Sequence, residues 1–287
     1  MQTLAIDITV PKKYNHISIE PVTDIHRDDV NFVKSKWDEV LNRIASEPNR
    51  FTIGLGDYGS QIYTNANERR GPETINPEYR DDPMHLYDTL VSELAPLKKK
   101  VPGVTVSADG KEVQGKILLV IQGNHDHTVE KGSHINPVKD LLAKGLGVPY
   151  GGYTSMVSLR VDNGINKRVW KLFLTHGKVT GALPASSLTK LERLAQGFDA
   201  DVYLAGDRHE ILVDKRLFHS VSDDGLLLQG TRIFGVCGCF VAGYSAEKRP
   251  DGRVITSYPE LIMGLPNRVG TLTIQFNLDT GRIYAHE

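Results

Sequence analysis

Five short polar clusters punctuate this chain, each directly after an apolar run: Asp24-Ile25-His26, Gly56-Asp57, Gly123-Asn124-His125-Asp126, Thr175-His176-Gly177 and Gly206-Asp207-Arg208-His209. The runs before them, such as His16-Ile17-Ser18-Ile19-Glu20, Phe51 to Leu55 and Ile117 to Ile121, are rich in aliphatic residues and of strand length. An amide and an imidazole set immediately after a buried strand serve no packing purpose. Repeated along the chain, the pattern delivers carboxylates, imidazoles and one amide from separate loops, a donor set that suits a pair of divalent cations activating water.

A chain of 287 residues with 40% hydrophobic content can bury a large core. The economical reading is a single domain over residues 1–287, with the motifs in 24–209 and a mostly β part in 210–287. Asp28 or Asp29 is positioned to cap a helix whose apolar residues Val33, Trp37, Val40, Leu41 and Ile44 recur at helical spacing. Further helices are predicted over 83–100, 137–144 and 186–195, and extended segments over 51–55, 153–161 and 168–174. Residues 61–82 form a long polar connection. Turn signals lie at 222–225, 250–252 and 278–281, and His127 and His134 read as loop histidines. Strand-helix alternation giving way to consecutive strands predicts an α/β fold, a four-layer α/β/β/α sandwich of two mixed β-sheets flanked by helices.

The balance of 34 basic against 35 acidic residues leaves no global electrostatic footprint for nucleic acid or membrane, so any polyanion must be held locally. Asp7 interrupts the apolar stretch from Leu4 to Val10, and Lys12-Lys13 follow, which reads against a secretory leader. No run has the length of a membrane span. Cys237 and Cys239, two residues apart, are too close on an extended chain for an unstrained disulfide and have no further ligands at zinc spacing. Reduced thiols packed in a strand, in a cytoplasmic protein, are expected.

In these clusters the chain resembles the calcineurin-like metallophosphoesterases, whose motifs run D-x-H, G-D-x-x-D/N, G-N-H-D/E, H and G-H-x-H in this order. The third motif is matched in full by Gly123-Asn124-His125-Asp126. The resemblance implies that Asp24, His26, Asp57 and His209 bind one metal and that Asp57 bridges to a second held by Asn124 and His176. It implies that His125 is not a ligand but faces the substrate as acid or electrostatic stabiliser; Asp24, in the same cluster, is the residue expected to orient it. Two positions depart from the pattern. Ser60 stands where Asp or Asn is common, and Asp207 stands where the last motif offers a histidine to the second metal. As a ligand, Asp207 shifts the preference of the pair toward harder ions, Mn²⁺ first and Mg²⁺ next, with Fe, Ni²⁺ and Zn²⁺ also open.

The activity so implied is hydrolysis of a phosphodiester, in a nucleotide or nucleic acid, by water bridging the two metals, as in nuclease-like members of the family. A phosphomonoesterase is the alternative enzyme. A binding module weakened in catalysis through Asp207 is the alternative of another class. For substrate contacts, Tyr58 either stacks on a base or packs inward. Arg69, Arg70 and Arg80 either meet phosphate or are solvated beside the five acids of residues 61–82.

Overall fold

The computed structural model describes residues 1–60, 74–80, 82–177, 184–244 and 266–287. With strands numbered along the chain, one sheet has the order β13-β12-β2-β3-β6. Its strands β2 (His16–Val22), β3 (Arg50–Gly54) and β6 (Ile117–Val120) run parallel. The strands β12 (Thr273–Asn277) and β13 (Ile283–His286) complete it antiparallel. The second sheet has the order β10-β11-β9-β8-β7-β1-β4-β5. At its centre β8 (Lys167–Thr175) is parallel to β9 (Val202–Ala205), and β1 (Gln2–Thr9) is parallel to β7 (Thr154–Asp162). The short β4 (Thr105–Ala108) and β5 (Lys111–Val113) close one edge, and the long hairpin of β10 (Ile211–Val221) and β11 (Leu227–Cys237) forms the other.

Strands covered on both faces are continuously apolar, as in β6 and β9, which are buried throughout. Along β8 the residues alternate. Trp170 turns inward and meets Phe276 of β12 at a ring-centroid distance of 5.1 Å, joining the two sheets face to face. Phe173 turns outward and, with Tyr203 and Phe234, forms a separate cluster under helix α6 (Pro184–Leu194). On the other side, α1 (Lys34–Ser46) and α3 (Pro83–Leu94) cover the five-stranded sheet, with Trp37, Val40, Ile44, Leu86 and Leu90 buried. Two mixed sheets between helical layers make the predicted α/β/β/α sandwich.

Several local expectations are corrected. Helix α1 begins at Lys34 without a side-chain cap. Asp28 and Asp29 are instead buried, accepting the backbone N–H groups of Ser60 and Asn31. The helix expected over 83–100 ends at Leu94 and tightens to a 3₁₀ turn over Ala95–Lys98, where Pro96 has no N–H to give. The segment 137–144 is helical as expected, a π-helix over Val138–Ala143 that runs into α5 (Lys144–Leu146). Helix α4 (Asn124–Ser133) grows directly out of the third motif and carries His127, which had read as loop. The short α2 (Pro77–Arg80) lies within the polar connection of residues 61–82, and residues 61–73 and the turn signal at 250–252 lie outside the described residues. Among the described residues, no helix is long and apolar enough to cross a membrane.

Candidate metal centre

The motif loops leave the ends of neighbouring parallel strands. Asp24, Asp57 and Asn124 follow β2, β3 and β6 of one sheet, while His176 and His209 follow β8 and β9 of the other. The chain turns so sharply there that Asp24, His26, Asp57, Asp207 and His209 take positive φ values of 47°, 44°, 52°, 66° and 57°. Among the described residues, two further non-glycine residues share that left-handed region, Asp109 and His134. Such strain persists where surrounding structure enforces it, and here it gathers at one place. Two glycines make room. A Cβ on Gly123 would lie 2.0 Å from Asp57 Oδ1, and one on Gly206 would lie 2.8 Å from His176 Nδ1 and 2.9 Å from Asp24 Oδ2.

The first half of the centre is built on Asp24. Its Oδ2 accepts the Thr23 hydroxyl at 2.7 Å and the Asp207 N–H at 2.9 Å. Its Oδ1 lies 3.0 Å from His209 Nε2 and 3.9 Å from His26 Nε2, yet it is buried and accepts no hydrogen bond. The two imidazole nitrogens are 3.2 Å apart. A buried, unsatisfied carboxylate oxygen facing two ring nitrogens is the donor set of a cation. In the second half, His176 Nε2 lies 3.0 Å from Asp57 Oδ2 and 3.0 Å from Asn124 Oδ1. Its Nδ1, 2.7 Å from the Leu55 carbonyl, donates there and leaves Nε2 to ligate. Ligand atoms of Asp24, His26 and His209, of Asp24, Asp57 and His176, and of His26, Asp57 and His125 each fall within 4.8 Å of one another. Asp24, His26 and Asp57 each belong to two of these groups, so the three clusters form one continuous site.

The charges are interdependent. Burial alone would raise the Asp57 carboxyl, but His176, then His125 and His26, hold it well below the usual carboxylate range. Burial alone would lower His176. Asp57 beside it, with Asp24 and Asp207, carries it instead up to about 10. Burial and the repulsion of Asp24 and Asp57 raise Asp207 to about 6 against the attraction of His176. Asp126, raised by burial and by Asp57 to about 7, accepts the N–H groups of Asp57 and Gly123, each at 2.9 Å, and the Tyr87 hydroxyl at 2.8 Å. It ties two motif loops together.

His125 sits at the amino end of α4, where its N–H donates to Asp57 Oδ1 at 2.9 Å. Its ring is 17% exposed, with Nδ1 3.3 Å from the Ser60 carbonyl and Nε2 3.9 Å from Asp57 Oδ2. The printed contact of the His125 ring is thus with the Ser60 carbonyl, while Asp24 Oδ2 is engaged by Thr23 and Asp207. The Ser60 hydroxyl turns to His26, 2.9 Å from Nδ1, and points onward to Asp29 Oδ2 at 3.5 Å. Ser60 is a motif position that the sequence singles out, whereas the parts of Asp29 and Asp126 are not among the sequence expectations; for Asp126 the acidic last letter of the third motif is the available signal.

Tyr58 is corrected as a substrate contact. It is 1% exposed and packed against Gly54. Arg80 donates from Nε to the Ile75 carbonyl at 2.9 Å, and Arg69 and Arg70 lie outside the described residues. Asp207 is close enough to act on the charges of Asp24, Asp57 and His176, but the three ligand groups found among the described residues do not contain it. Cys237 and Cys239 are buried free thiols, Cys237 at the end of β11 and Cys239 in an isolated bridge just beyond it.

No protein-family model matches the sequence, and no curated protein does. Among solved structures, the chain is similar to a zinc-complexed Vps29 from Entamoeba histolytica at 12% identity, with 94% of this chain and 97% of that chain covered and a TM-score of 0.37. A predicted phosphoesterase from Streptococcus pneumoniae shares 13% identity over 95% of this chain and 98% of that chain, with a TM-score of 0.33. A metallophosphoesterase from Sphaerobacter thermophilus shares 16% identity over 94% of this chain and 87% of that chain, with a TM-score of 0.35. What these likenesses share with the chain is the architecture, an α/β fold of two mixed sheets flanked by helices.

Proposed function

We propose that this chain is a metal-dependent phosphodiesterase with two adjacent divalent-cation positions, acting on a nucleotide or nucleic-acid diester. The observation that carries the reading is Asp24 Oδ1, a buried carboxylate oxygen with no hydrogen bond, set between the imidazoles of His26 and His209 beside the Asp57 position. Asp24, His26 and His209 would hold one cation and Asn124, His176 and Asp207 the other, with Asp57 as the ligand common to both. Bound there, divalent cations supply the charge that draws in a phosphodiester and lowers the pKa of water.

The chain's own groups do the rest. His125, anchored through Nδ1 to the Ser60 carbonyl, presents Nε2 to the departing oxygen and, as imidazolium, hands it a proton. Asp57 at 3.9 Å stabilises that cation. Asp126 keeps the loops of Asp57 and Gly123 in register, and the carboxylate-rich Mn²⁺-type donor set follows from Asp207.

The test compares bis-(p-nitrophenyl) phosphate with p-nitrophenyl phosphate, with Mn²⁺ and after chelation. The diester is turned over faster, chelation abolishes the rate and Mn²⁺ restores it. His125→Ala keeps its metal content and loses roughly a hundredfold in kcat. Faster monoester turnover, a rate indifferent to chelation, or loss of metal in the His125 variant each defeats part of the assignment.

A further inference from the structure

Helix α3 carries no proposed ligand and no letter of the five motifs, and its Leu86, Tyr87, Leu90 and Leu94 recur at the spacing of a core-facing stripe. It nevertheless backs the loops that present the ligands. Tyr87 is 1% exposed, and its hydroxyl donates to Asp126 Oδ1 at 2.8 Å. The other partners of Asp126 are main-chain N–H groups: Tyr58 at 3.3 Å on the same oxygen, and Asp57 and Gly123 at 2.9 Å each on Oδ2. Leu86, beside Tyr87, sits so close to the same loop that a Cβ on Gly59 would lie 2.2 Å from its Cδ2. Further along α3, Glu93 accepts Arg27 Nε and Trp37 Nε1, both at 2.9 Å, which fixes the residue next to His26. Three motif loops therefore rest on one helix.

We infer that Tyr87 is a positioning residue of the metal centre, acting through Asp126 on Asp57 and Asn124, an assignment that rests on the metal-dependent reading above. Asp57 stands in the left-handed region, at a φ of 52°, with its N–H held by Asp126. The same oxygen holds the N–H of Gly123, the residue immediately before Asn124. One carboxylate thus places two proposed ligands, and Tyr87 is the side chain that fixes which way this carboxylate faces. Burial, then the charge of Asp126, pushes the Tyr87 phenol well above its ordinary value, so it stays a donor. Without that hydroxyl, Oδ1 keeps a single long contact at 3.3 Å, and the carboxylate can turn about its Cβ–Cγ bond and loosen both loops. A hydroxyl that only satisfied a buried acid would cost stability on removal and leave the binding of metal as it was.

Tyr87→Phe removes one oxygen and keeps the ring. Its control is Tyr203→Phe, at a tyrosine as deeply buried whose hydroxyl donates to the Phe198 carbonyl and accepts the Ala200 N–H in the cluster under α6. In chelator-treated full-length protein, hydrogen exchange of the Asp57, Tyr58 and Gly123 amides is followed by NMR. Tyr87→Phe speeds these three about tenfold and leaves the amides of β7 and β8 unchanged. Its Mn²⁺ affinity, by titration calorimetry, falls about tenfold, as for partners that orient a ligand. At saturating Mn²⁺, kcat for bis-(p-nitrophenyl) phosphate falls about tenfold with KM unchanged, the signature of misplaced reacting groups. Tyr203→Phe lowers Tm and moves none of these readings. Wild-type exchange at the three amides, wild-type Mn²⁺ affinity, or an equal loss in Tyr203→Phe each overturns the role of Tyr87. Faster amides and weakened Mn²⁺ in a protein that hydrolyses no diester keep that role and remove the phosphodiesterase.

Discussion

At the scale of single residues, Ser60 and Asp207 separate this centre from the motif pattern it resembles. Ligation by His26 Nε2 requires its proton on Nδ1, and that proton is donated to the Ser60 hydroxyl, which passes its own hydrogen toward Asp29. Partners of this kind hold a ligating imidazole in one orientation and raise its basicity. Ser60→Ala is therefore expected to weaken Mn²⁺ about tenfold to a hundredfold by titration calorimetry, with Ser60→Thr restoring it. Equal affinity in the alanine variant removes the relay. Asp207 decides between enzyme and weakened relative. As a true ligand, Asp207→Ala loses one metal equivalent and most activity, while Asp207→His regains both and moves preference toward Zn²⁺ or Ni²⁺. If wild type holds one metal and the alanine variant matches it in metal and rate, the second position is incomplete.

At the scale of elements, the strands that carry ligands were legible because each is a short aliphatic run ended by glycine or by a ligand. Helix α4 was not, since its first turn is Asn124-His125-Asp126-His127 and shows no apolar stripe. Asp28 and Asp29 looked like helix caps by residue type, but burial beside Ser60 gave them another task. The Ser60–His26 contact joins residues 34 positions apart through two loops, which no local pattern encodes. Tyr58 had two sequence readings, and the close approach of its ring to Gly54 selects the inward one. One element junction was also invisible. Lys116, 3% exposed just before β6, donates from Nζ to the carbonyls of Ile44, Ala45 and Glu47 at 2.6, 2.9 and 2.7 Å. It closes the end of α1 and ties it to the strand that leads to Asn124. Lys116→Met leaves those carbonyls without their donor and is expected to cost about 2–4 kcal/mol in urea denaturation, a loss that Lys116→Arg only partly reproduces. A change under about 0.5 kcal/mol removes that role.

At the scale of the molecule, the candidate ligands come from both sheets, so a metal bound there would fasten one sheet to the other. Mn²⁺ is expected to raise Tm, and chelation to reverse the rise. The shift depends on pH with a definite sign. In the metal-free protein the His176 pKa is raised above its ordinary value to about 10, so its pairing with Asp57 stabilises fully below about 6.5 and fades as pH climbs through 10. Metal must displace that proton, so the Mn²⁺-induced rise in Tm grows from pH 6 to pH 9. A shift that shrinks over that range, or one that survives in Asp57→Asn, contradicts the bridging arrangement. The left-handed turns carry a separate consequence for how such a centre can vary. Asp, Asn, His and Gly tolerate positive φ, whereas β-branched and bulky apolar residues do not. Asp24, His26, Asp57, Asp207 and His209 thus occupy positions where the backbone has already restricted the alphabet to letters that include most oxygen and nitrogen ligands. A histidine-to-aspartate exchange at position 207 stays within that alphabet, so the chain can change the hardness of its donor set without redrawing the turn that presents it.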